Sequence, residues 1–197
     1  AAVARPGRVP EGGMTPTPFG CTLRTLHPGD VACGERGDRF ETLLGSCVAV
    51  ILTDPRRTIG AMCHIVHASR ATAGVAETGA YAEVALDTMY ALLRERGIDP
   101  RQCEAYVYGG GNMFPQLFNQ IAHVGERNSR WALDALAEDG VRVLFHDLGG
   151  DTYRRLWAEI GLHHLQRPHL ELVADSGDPY FDFHGLPPEM DTFRQHL

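Results

Sequence analysis

Two apolar runs separated by a short polar segment dominate the hydrophobic pattern of this chain. The first run covers residues 43–52 and the second covers residues 59–66. The segment between them, residues 53–58, is polar and contains Pro55. A segment of this kind between runs rich in β-branched residues predicts a turn between two antiparallel strands. Small or apolar side chains occupy both faces of this hairpin, so we expect other layers to cover it on both sides.

The predicted hairpin brings a cysteine and a histidine together. A turn centred on residues 55–56 places Cys47 opposite His64, and opposed side chains share a face with Cβ atoms roughly 4.5–5.5 Å apart. Gly45 and Ser46 fit a tight bend that makes Cys47 accessible at the start of the strand. In such a bend the backbone N–H groups of Ser46 and Cys47 can converge on an oxyanion. The pattern therefore predicts a cysteine nucleophile with a histidine base.

The rest of the chain mixes helical and strand periodicities. Apolar spacing predicts a helix over residues 81–93 that ends at Gly97, and a second helix from Asn128 or Ser129 to Gly140. Alternating apolar positions predict further strands within residues 23–31, 103–108, 141–146 and 169–173. We expect an α/β (α+β) chain, built as a layered sandwich of mixed or antiparallel β-sheets with helices packed outside.

Three consecutive glycines, residues 109–111, follow the strand predicted at 103–108. Glycine permits a positive φ or a close approach of two backbone segments. A phosphate-binding loop is not favoured, because no Lys-Ser or Lys-Thr follows the glycines and the Gly-x-Gly-x-x-Gly spacing is missing. We interpret the segment as a structural turn, which the turn predicted at residues 147–150 can approach.

The length of 197 residues suits one domain with tails. Residues 1–19 are rich in Ala, Pro and Gly and are predicted to form a flexible lead. The predicted domain covers residues 20–161. Residues 162–197 form a tail in which the periodicity weakens.

Composition and charge exclude several classes of function. A formal net charge of -7 argues against nucleic acid as a partner, because such surfaces require clustered Lys and Arg. The chain has no apolar run of about 18 residues and no signal-peptide pattern, so we expect no membrane insertion. Five scattered cysteines without a Cys-x-x-Cys pair favour a reduced, cytoplasmic protein over a disulfide framework or a zinc ribbon.

Each candidate residue also has a structural interpretation. A buried cysteine commonly acts as a small hydrophobic side chain, and a buried histidine is commonly a hydrogen-bonded part of the core. A metal site would need Cys63, His64 and His67, but adjacent residues on a regular strand point to opposite faces. We therefore expect no metal and no cofactor, and we assign Cys63 to the core.

Several short motifs resemble, in consistent order from about residue 23 to residue 155, the CheD family of chemoreceptor glutamine deamidases. They are Leu26-His27-Pro28-Gly29, Leu43-Leu44-Gly45-Ser46-Cys47-Val48-Ala49-Val50, Gly60-Ala61-Met62-x-His64, Tyr81, Gly109-Gly110-x-x-Met113-Phe114, Gly125-Glu126-Arg127-Asn128 and Asp147-x-Gly149-Gly150-x-x-x-Arg154. The chain departs from the family pattern at His67-Ala68, where Leu-Pro is common, and at Glu83, where Asp is common. Both departures lie away from the predicted nucleophile, so they bear on the choice of substrate or partner more than on the reaction.

The resemblance implies a papain-like cysteine hydrolase chemistry on an unrelated layered α/β fold. It assigns the nucleophile to Cys47, the base to His64 and a third catalytic role to Thr42. The implied reaction converts glutamine side chains to glutamate on the cytoplasmic helices of methyl-accepting chemotaxis receptors. The implied partners are those receptors and a CheC-like phosphatase, and a methylesterase side activity would use the same thioester.

Two further expectations concern mechanism and its alternatives. A neighbouring imidazolium is expected to lower the pKa of the Cys47 thiol from about 8.5 to between roughly 3.5 and 7.5. The alternative from another class is a non-catalytic adaptor that only binds receptor helices or a CheC-like protein. An acyl-transferring or proteolytic cysteine hydrolase is a third possibility, and the mass change of the substrate distinguishes it from a deamidase.

Overall fold

The computed structural model describes residues 15–16, 22–68, 80–112, 124–161 and 169–173. Its strands are β1 Thr15–Pro16, β2 Thr22–Thr25, β3 Val31–Glu35, β4 Arg39–Leu44, β5 Val48–Thr53, β6 Ile59–Ile65, β7 Glu104–Gly109, β8 Arg142–Leu148, β9 Tyr153–Glu159 and β10 His169–Val173. Its helices are α1 Ala82–Glu95 and α2 Val124–Glu138, with a short 3-10 helix at Pro100–Gln102.

The strands form two five-stranded sheets that pack face to face. The outer sheet has the order β1-β2-β4-β9-β10, and the central sheet has the order β3-β6-β5-β7-β8. Both sheets are mixed, because the β2–β4 and β7–β8 pairs are parallel whereas the other pairs are antiparallel. The two helices pack on the face of the central sheet opposite the outer sheet. The predicted layered α+β sandwich is thus confirmed.

The β5–β6 hairpin of the central sheet is buried on both faces, as its uninterrupted apolar runs predict. Every residue of β5 is buried. Val48, Val50 and Leu52 belong to the cluster that packs under the helices. Ala49 and Ile51 belong to the second cluster, which fills the space between the two sheets. The interior therefore has two hydrophobic layers, one on each side of β5.

The apolar run at residues 43–52 does not form one strand. Strand β4 ends at Leu44 in the outer sheet, and β5 begins at Val48 in the central sheet. Residues 45–47 carry the chain from one sheet to the other, and we call this segment the crossover. Gly45 and Ser46 supply the predicted bend, and Cys47 lies at its end.

The predicted pairing of Cys47 directly opposite His64 is wrong by two residues. In the structure Ala49 pairs with His64, so the turn is centred on residues 56–57. The reason is the Asp54 carboxylate, which accepts hydrogen bonds from the N–H groups of Arg56, Thr58 and Ile59 at 3.2, 2.6 and 2.8 Å and so shifts the turn. Because side chains alternate with a period of two, this shift keeps position 47 on the same face as His64.

Most other predicted elements are present. Gly97 adopts a φ of +74° after α1, as expected for a helix C-terminus. The strand predicted at residues 169–173 is β10, paired with β9. Helix α2, however, begins at Val124, so neither Asn128 nor Ser129 is its N-cap. Some predictions lie outside the described residues: most of the lead at 1–19, Met113-Phe114, and residues 162–168 and 174–197 of the tail.

Candidate active site

The crossover is held by hydrogen bonds to three consecutive carbonyl groups. Gly45 O accepts from Gly111 N at 2.8 Å, and Cys47 O accepts from Gly110 N at 2.8 Å. Between them, Ser46 O accepts from Asn128 Nδ2 at 3.1 Å. Among the backbone hydrogen bonds of the described residues, none has the Ser46 or Cys47 N–H as donor. All three carbonyls of the crossover are therefore occupied, whereas the two N–H groups that we predict as oxyanion donors have no backbone acceptor among the described residues.

The triple glycine explains how two backbone segments approach so closely. A Cβ atom on Gly109 would lie 2.2 Å from the Cys47 carbonyl oxygen, and Gly109 has a φ of +111°. The predicted neighbouring turn is also in place, because Gly149 N donates to Gly109 O at 2.9 Å and Asn112 N donates to Gly150 O at 2.7 Å. The glycines therefore serve the close backbone approach for which glycine is suited.

His64 and Thr42 meet between the two sheets. Thr42 lies on β4 of the outer sheet and His64 on β6 of the central sheet, and both are buried. The Thr42 hydroxyl oxygen lies 2.8 Å from His64 Nδ1 and donates to the Leu26 carbonyl oxygen at 2.8 Å. The structure thus places Thr42, the residue whose role the resemblance suggests, in direct contact with the candidate base.

This chain of contacts fixes the tautomer of the imidazole. A hydroxyl has one proton, and a carbonyl oxygen such as that of Leu26 can only accept. The Thr42 proton is therefore directed to Leu26 O, and His64 Nδ1–H donates to the Thr42 oxygen. The lone pair is then on His64 Nε2, a buried atom that has no hydrogen-bond partner among the described residues. This lone pair is the position at which His64 can accept a proton from a neighbouring group.

Cys47 packs against the layer between the two sheets, where His64 also lies. Its side chain is half-buried and packs against the cluster between the sheets, to which Ala49 also belongs. Diagonal neighbours across an antiparallel pair are roughly 7–8 Å apart, which a side chain of the length of histidine can span. In the described structure Cys47 Sγ and His64 Nε2 are not hydrogen-bonded. Catalytic contacts of this type commonly tighten only when substrate is bound.

Burial keeps both groups neutral in the resting site. It raises the pKa of the Cys47 thiol to about 12. It also lowers the pKa of His64 to about 4, against a smaller opposing effect of the Leu26 carbonyl. The expected lowering of the Cys47 pKa by an imidazolium is therefore wrong for the resting site. The reason is that burial disfavours both the thiolate and the imidazolium.

A buried neutral histidine makes stability depend on pH. The pKa of His64 is about 4 in the folded chain, below the value of about 6.5 for an unfolded chain, so the unfolded state binds more protons between those values. The free energy of unfolding should therefore fall by up to about 3 kcal/mol as the pH drops from 6.5 to 4. Urea unfolding at pH 7 and pH 4.5 measures this loss. In His64→Gln the same acidification should cost markedly less, and an equal loss in both proteins would contradict the assignment.

The two other residues considered for a metal site, Cys63 and His67, make packing contacts. Cys63 is fully buried in the cluster under the helices, on the face opposite His64. His67 packs against the ring of Tyr81 with 5.5 Å between ring centroids. In the parts of the chain that the structure describes, no three His, Cys, Asp or Glu side chains converge as metal ligands.

Sequence reasoning missed the part that Asn128 plays. Its side chain is buried within α2 and reaches the crossover, where its Nδ2 donates to Ser46 O. It belongs to the motif Gly125-Glu126-Arg127-Asn128, and asparagine is not favoured in a helix interior, but neither signal reveals its partner. Arg154 is similarly buried beside the turn at 149–150, where it donates to Asp147 at 2.8 Å.

Comparison with known proteins gives relatives over most of the chain. The chain is 33% identical over 157 residues to an Albidiferax ferrireducens protein named "Probable chemoreceptor glutamine deamidase CheD 2", covering 78% of this chain and 91% of that one. It is 36% identical over 126 residues to a Methanococcus vannielii protein named "Probable chemoreceptor glutamine deamidase CheD". That match covers 64% of this chain and 81% of the relative. A match of 157 residues in a chain of 197 includes both Cys47 and His64 wherever it begins.

Among solved structures, a Neisseria meningitidis protein of the family DUF152 superposes with a TM-score of 0.40 at 14% identity, covering 62% of this chain and 54% of that chain. A similarity this low does not define a shared fold.

Among the described residues, none of the helices combines the length and the apolar character that a bilayer crossing requires.

The family evidence is independent of the site geometry. The family model described as CheD chemotactic sensory transduction matches residues 67–166, which begin just after the His64 strand and include α1, α2 and the glycine loop at 109–112. Together with relatives above 30% identity that match over most of their own length, this shows that the chain is a member of the CheD family.

Proposed function

We propose that this protein hydrolyses glutamine side-chain amides of chemoreceptors to glutamate, with Cys47 as nucleophile, His64 as base and Thr42 as the residue that orients His64. The observation that carries the proposal is the Leu26–Thr42–His64 chain. It leaves a buried lone pair on Nε2, which no described residue engages, on the face that Cys47 shares. The names of the relatives supply the substrate class, since each is named "Probable chemoreceptor glutamine deamidase".

The reaction begins from a neutral pair. The Cys47 sulfur attacks the carboxamide carbon of the substrate while its proton passes to His64 Nε2. The resulting imidazolium donates its Nδ1–H to Thr42, whose oxygen stabilises the positive charge. Proton transfer that accompanies attack avoids forming a free thiolate, which burial of Cys47 makes costly.

The oxyanion of the tetrahedral intermediate needs hydrogen-bond donors. The Ser46 and Cys47 N–H groups fit this role because the three carbonyls of the crossover are already bound elsewhere. A preorganised donor of this kind contributes roughly 3–4 kcal/mol to transition-state stabilisation. The rigid crossover would hold both donors in place before the charge develops.

The second half of the cycle returns the enzyme to its starting state. His64 Nε2–H protonates the departing amino group, so that ammonia leaves and a thioester remains on Cys47. His64 then takes a proton from water, and the hydroxide attacks the thioester. Glutamate is released as His64 returns this proton to the Cys47 sulfur. A glutamate methyl ester would be cleaved through the same thioester, with methanol as the leaving group.

The proposed place of action is the cytoplasm, on the cytoplasmic helices of methyl-accepting receptors. The four described cysteines are all free thiols, which suits a reducing compartment. A CheC-like phosphatase is a proposed second partner, supported by membership of the family rather than by a contact in the structure.

Mass spectrometry of a receptor cytoplasmic fragment tests the function. After incubation with the protein, specific glutamines should gain about one dalton while the fragment stays intact and ammonia appears in equal amount. Cleavage of the fragment would indicate a protease. Binding of the fragment without mass change or ammonia would favour the non-catalytic adaptor.

Thr42→Val should reduce kcat by about 10- to 100-fold, because it removes the oxygen that accepts from His64 Nδ1 and fixes the tautomer. It also leaves Nδ1–H and the Leu26 carbonyl unpaired, at a cost of about 1–3 kcal/mol in stability. Thr42→Ser retains the hydroxyl and is the matched control, with kcat close to that of the wild type. The ¹⁵N shifts of the His64 ring should show a changed tautomer population in Thr42→Val alone. Equal kcat in both variants would contradict the role of Thr42.

A further inference from the structure

Strands β5 and β6 separate where the candidate site begins. Their last paired residues are Val48 and Ile65. Continued by one residue, the ladder would set Cys47 opposite Val66. The structure instead places the Asn128 amide there, and Asn128 Nδ2 donates both to Ser46 O at 3.1 Å and to Val66 O at 2.9 Å. A side chain from α2 thus bridges the two strands just beyond their last pair.

The amide of Asn128 is fully engaged and its orientation is determined by its partners. Its two N–H bonds go to carbonyl oxygens, which cannot donate, and its Oδ1 accepts from Ala68 N at 2.8 Å. A flipped amide would direct its oxygen at two carbonyl oxygens and lose every one of these bonds. The side chain is buried, with 1% of its surface exposed, so water cannot replace the lost partners.

Helix α2 is also anchored close to the crossover. A Cβ atom on Gly125 would lie 2.3 Å from the Gly110 carbonyl oxygen, and one on Gly110 would lie 1.9 Å from the Ser129 hydroxyl oxygen. The first turn of α2 therefore packs directly on the glycine loop that binds Gly45 O and Cys47 O. The side chain of Asn128 therefore extends from a helix that is packed tightly against the glycine loop.

We propose that Asn128 is a positioning residue, which sets the separation between Cys47 and His64 by tying Ser46, next to the nucleophile, to Val66, two residues beyond the base. By taking up the Ser46 carbonyl, it also holds the peptide unit that carries the Cys47 N–H. This inference rests on the proposed function for its effect on catalysis. Its effect on the Cys47 environment is separate and can be measured without substrate.

The test compares Asn128→Ala and Asn128→Asp with a matched control. Asn128→Asp keeps the size and the acceptor for Ala68 N but removes both donors. The control, Tyr90→Phe, removes a part-buried 2.7 Å hydrogen bond from α1 to Asp139, the exposed residue that follows α2, away from the crossover. Thermal unfolding gives the stability of each variant, and all rates are expressed per folded molecule.

Both Asn128 variants should show a kcat lower by about 10²-fold with KM little changed, since displacement of a catalytic group by about 1 Å has this effect. Tyr90→Phe should retain the wild-type kcat. Alkylation of Cys47 by iodoacetamide gives the second readout. In wild type the rate should rise through the alkaline range towards the thiol pKa of about 12, whereas in Asn128→Ala the midpoint should move towards the ordinary value of about 8.5 as the crossover loosens.

A kcat per folded molecule that is unchanged in Asn128→Ala would overturn the inference, as would an equal loss in Tyr90→Phe. If the wild type releases no ammonia from any receptor fragment, the proposed function fails and the alkylation profile decides alone. A shifted midpoint in the Asn128 variants would then still support the positioning role, and an unchanged midpoint would refute it.

Discussion

Cys47→Ala will abolish ammonia release from a chemoreceptor fragment and leave the fold in place. The sulfur supplies the electron pair for attack, and alanine has no atom that can replace it, so we expect kcat/KM to fall at least about 10⁴-fold. Cys47 is half-buried in the crossover rather than within a strand, so the loss of one sulfur atom removes little packing. Ammonia assay and intact mass of the fragment measure the loss, and circular dichroism and thermal unfolding report the fold.

Cys63→Ala is the matched control for this prediction. Cys63 is fully buried on the opposite face of β6, where removal of the sulfur leaves a small cavity under the helices. We expect Cys63→Ala to be the less stable of the two variants, by about 1 kcal/mol, and to deamidate at the wild-type rate. Undiminished ammonia release by Cys47→Ala would refute the nucleophile assignment.

His64→Ala should lower kcat by about 10²- to 10⁴-fold, the contribution usual for a positioned general base. Its dependence on pH is the sharper test. In the wild type the neutral pair persists between the pKa of His64 at about 4 and that of Cys47 at about 12, so kcat/KM should be flat from pH 6 to pH 9. In His64→Ala the thiolate must form by loss of its proton to solvent. The rate should then rise about tenfold per pH unit until the thiol pKa is reached.

His67→Ala serves as the control, because His67 is a nearby half-buried histidine that contacts Tyr81 and not the Thr42 chain. It should keep both the flat profile and most of the wild-type rate. A wild-type profile with an acid limb at pH 6–7 would instead indicate a thiolate–imidazolium pair. A His64→Ala rate within tenfold of the wild type would remove His64 from the mechanism.

The layered fold and the face shared by Cys47 and His64 could be predicted from local pattern. Apolar residues on both faces of β5 indicated a covered sheet, and the period of two kept the two candidates together even when the register shifted. The shift itself came from the Asp54 carboxylate, which accepts from three N–H groups of the turn. Hydrogen bonds of a single side chain to a turn have no signature in hydrophobic periodicity.

Two other features depend on tertiary contacts that pattern does not reveal. Asn128 looked like a helix N-cap because asparagine is usual there, but its amide is used by the crossover, 82 residues earlier in the chain. The pKa of Cys47 was expected to fall because a histidine is near. It rises because burial disfavours the thiolate, and the degree of burial of a site depends on how the layers pack.

The two sheets each contribute one half of the Thr42–His64 pair, and Cys47 belongs to the segment that passes between them. A partly folded chain with all its strands formed but its layers undocked would retain its backbone spectrum and have no assembled site. Enzymatic turnover therefore reports directly whether the two sheets have packed together. In graded denaturant we expect it to disappear together with near-ultraviolet signals from packed aromatic rings, ahead of any loss of strand content.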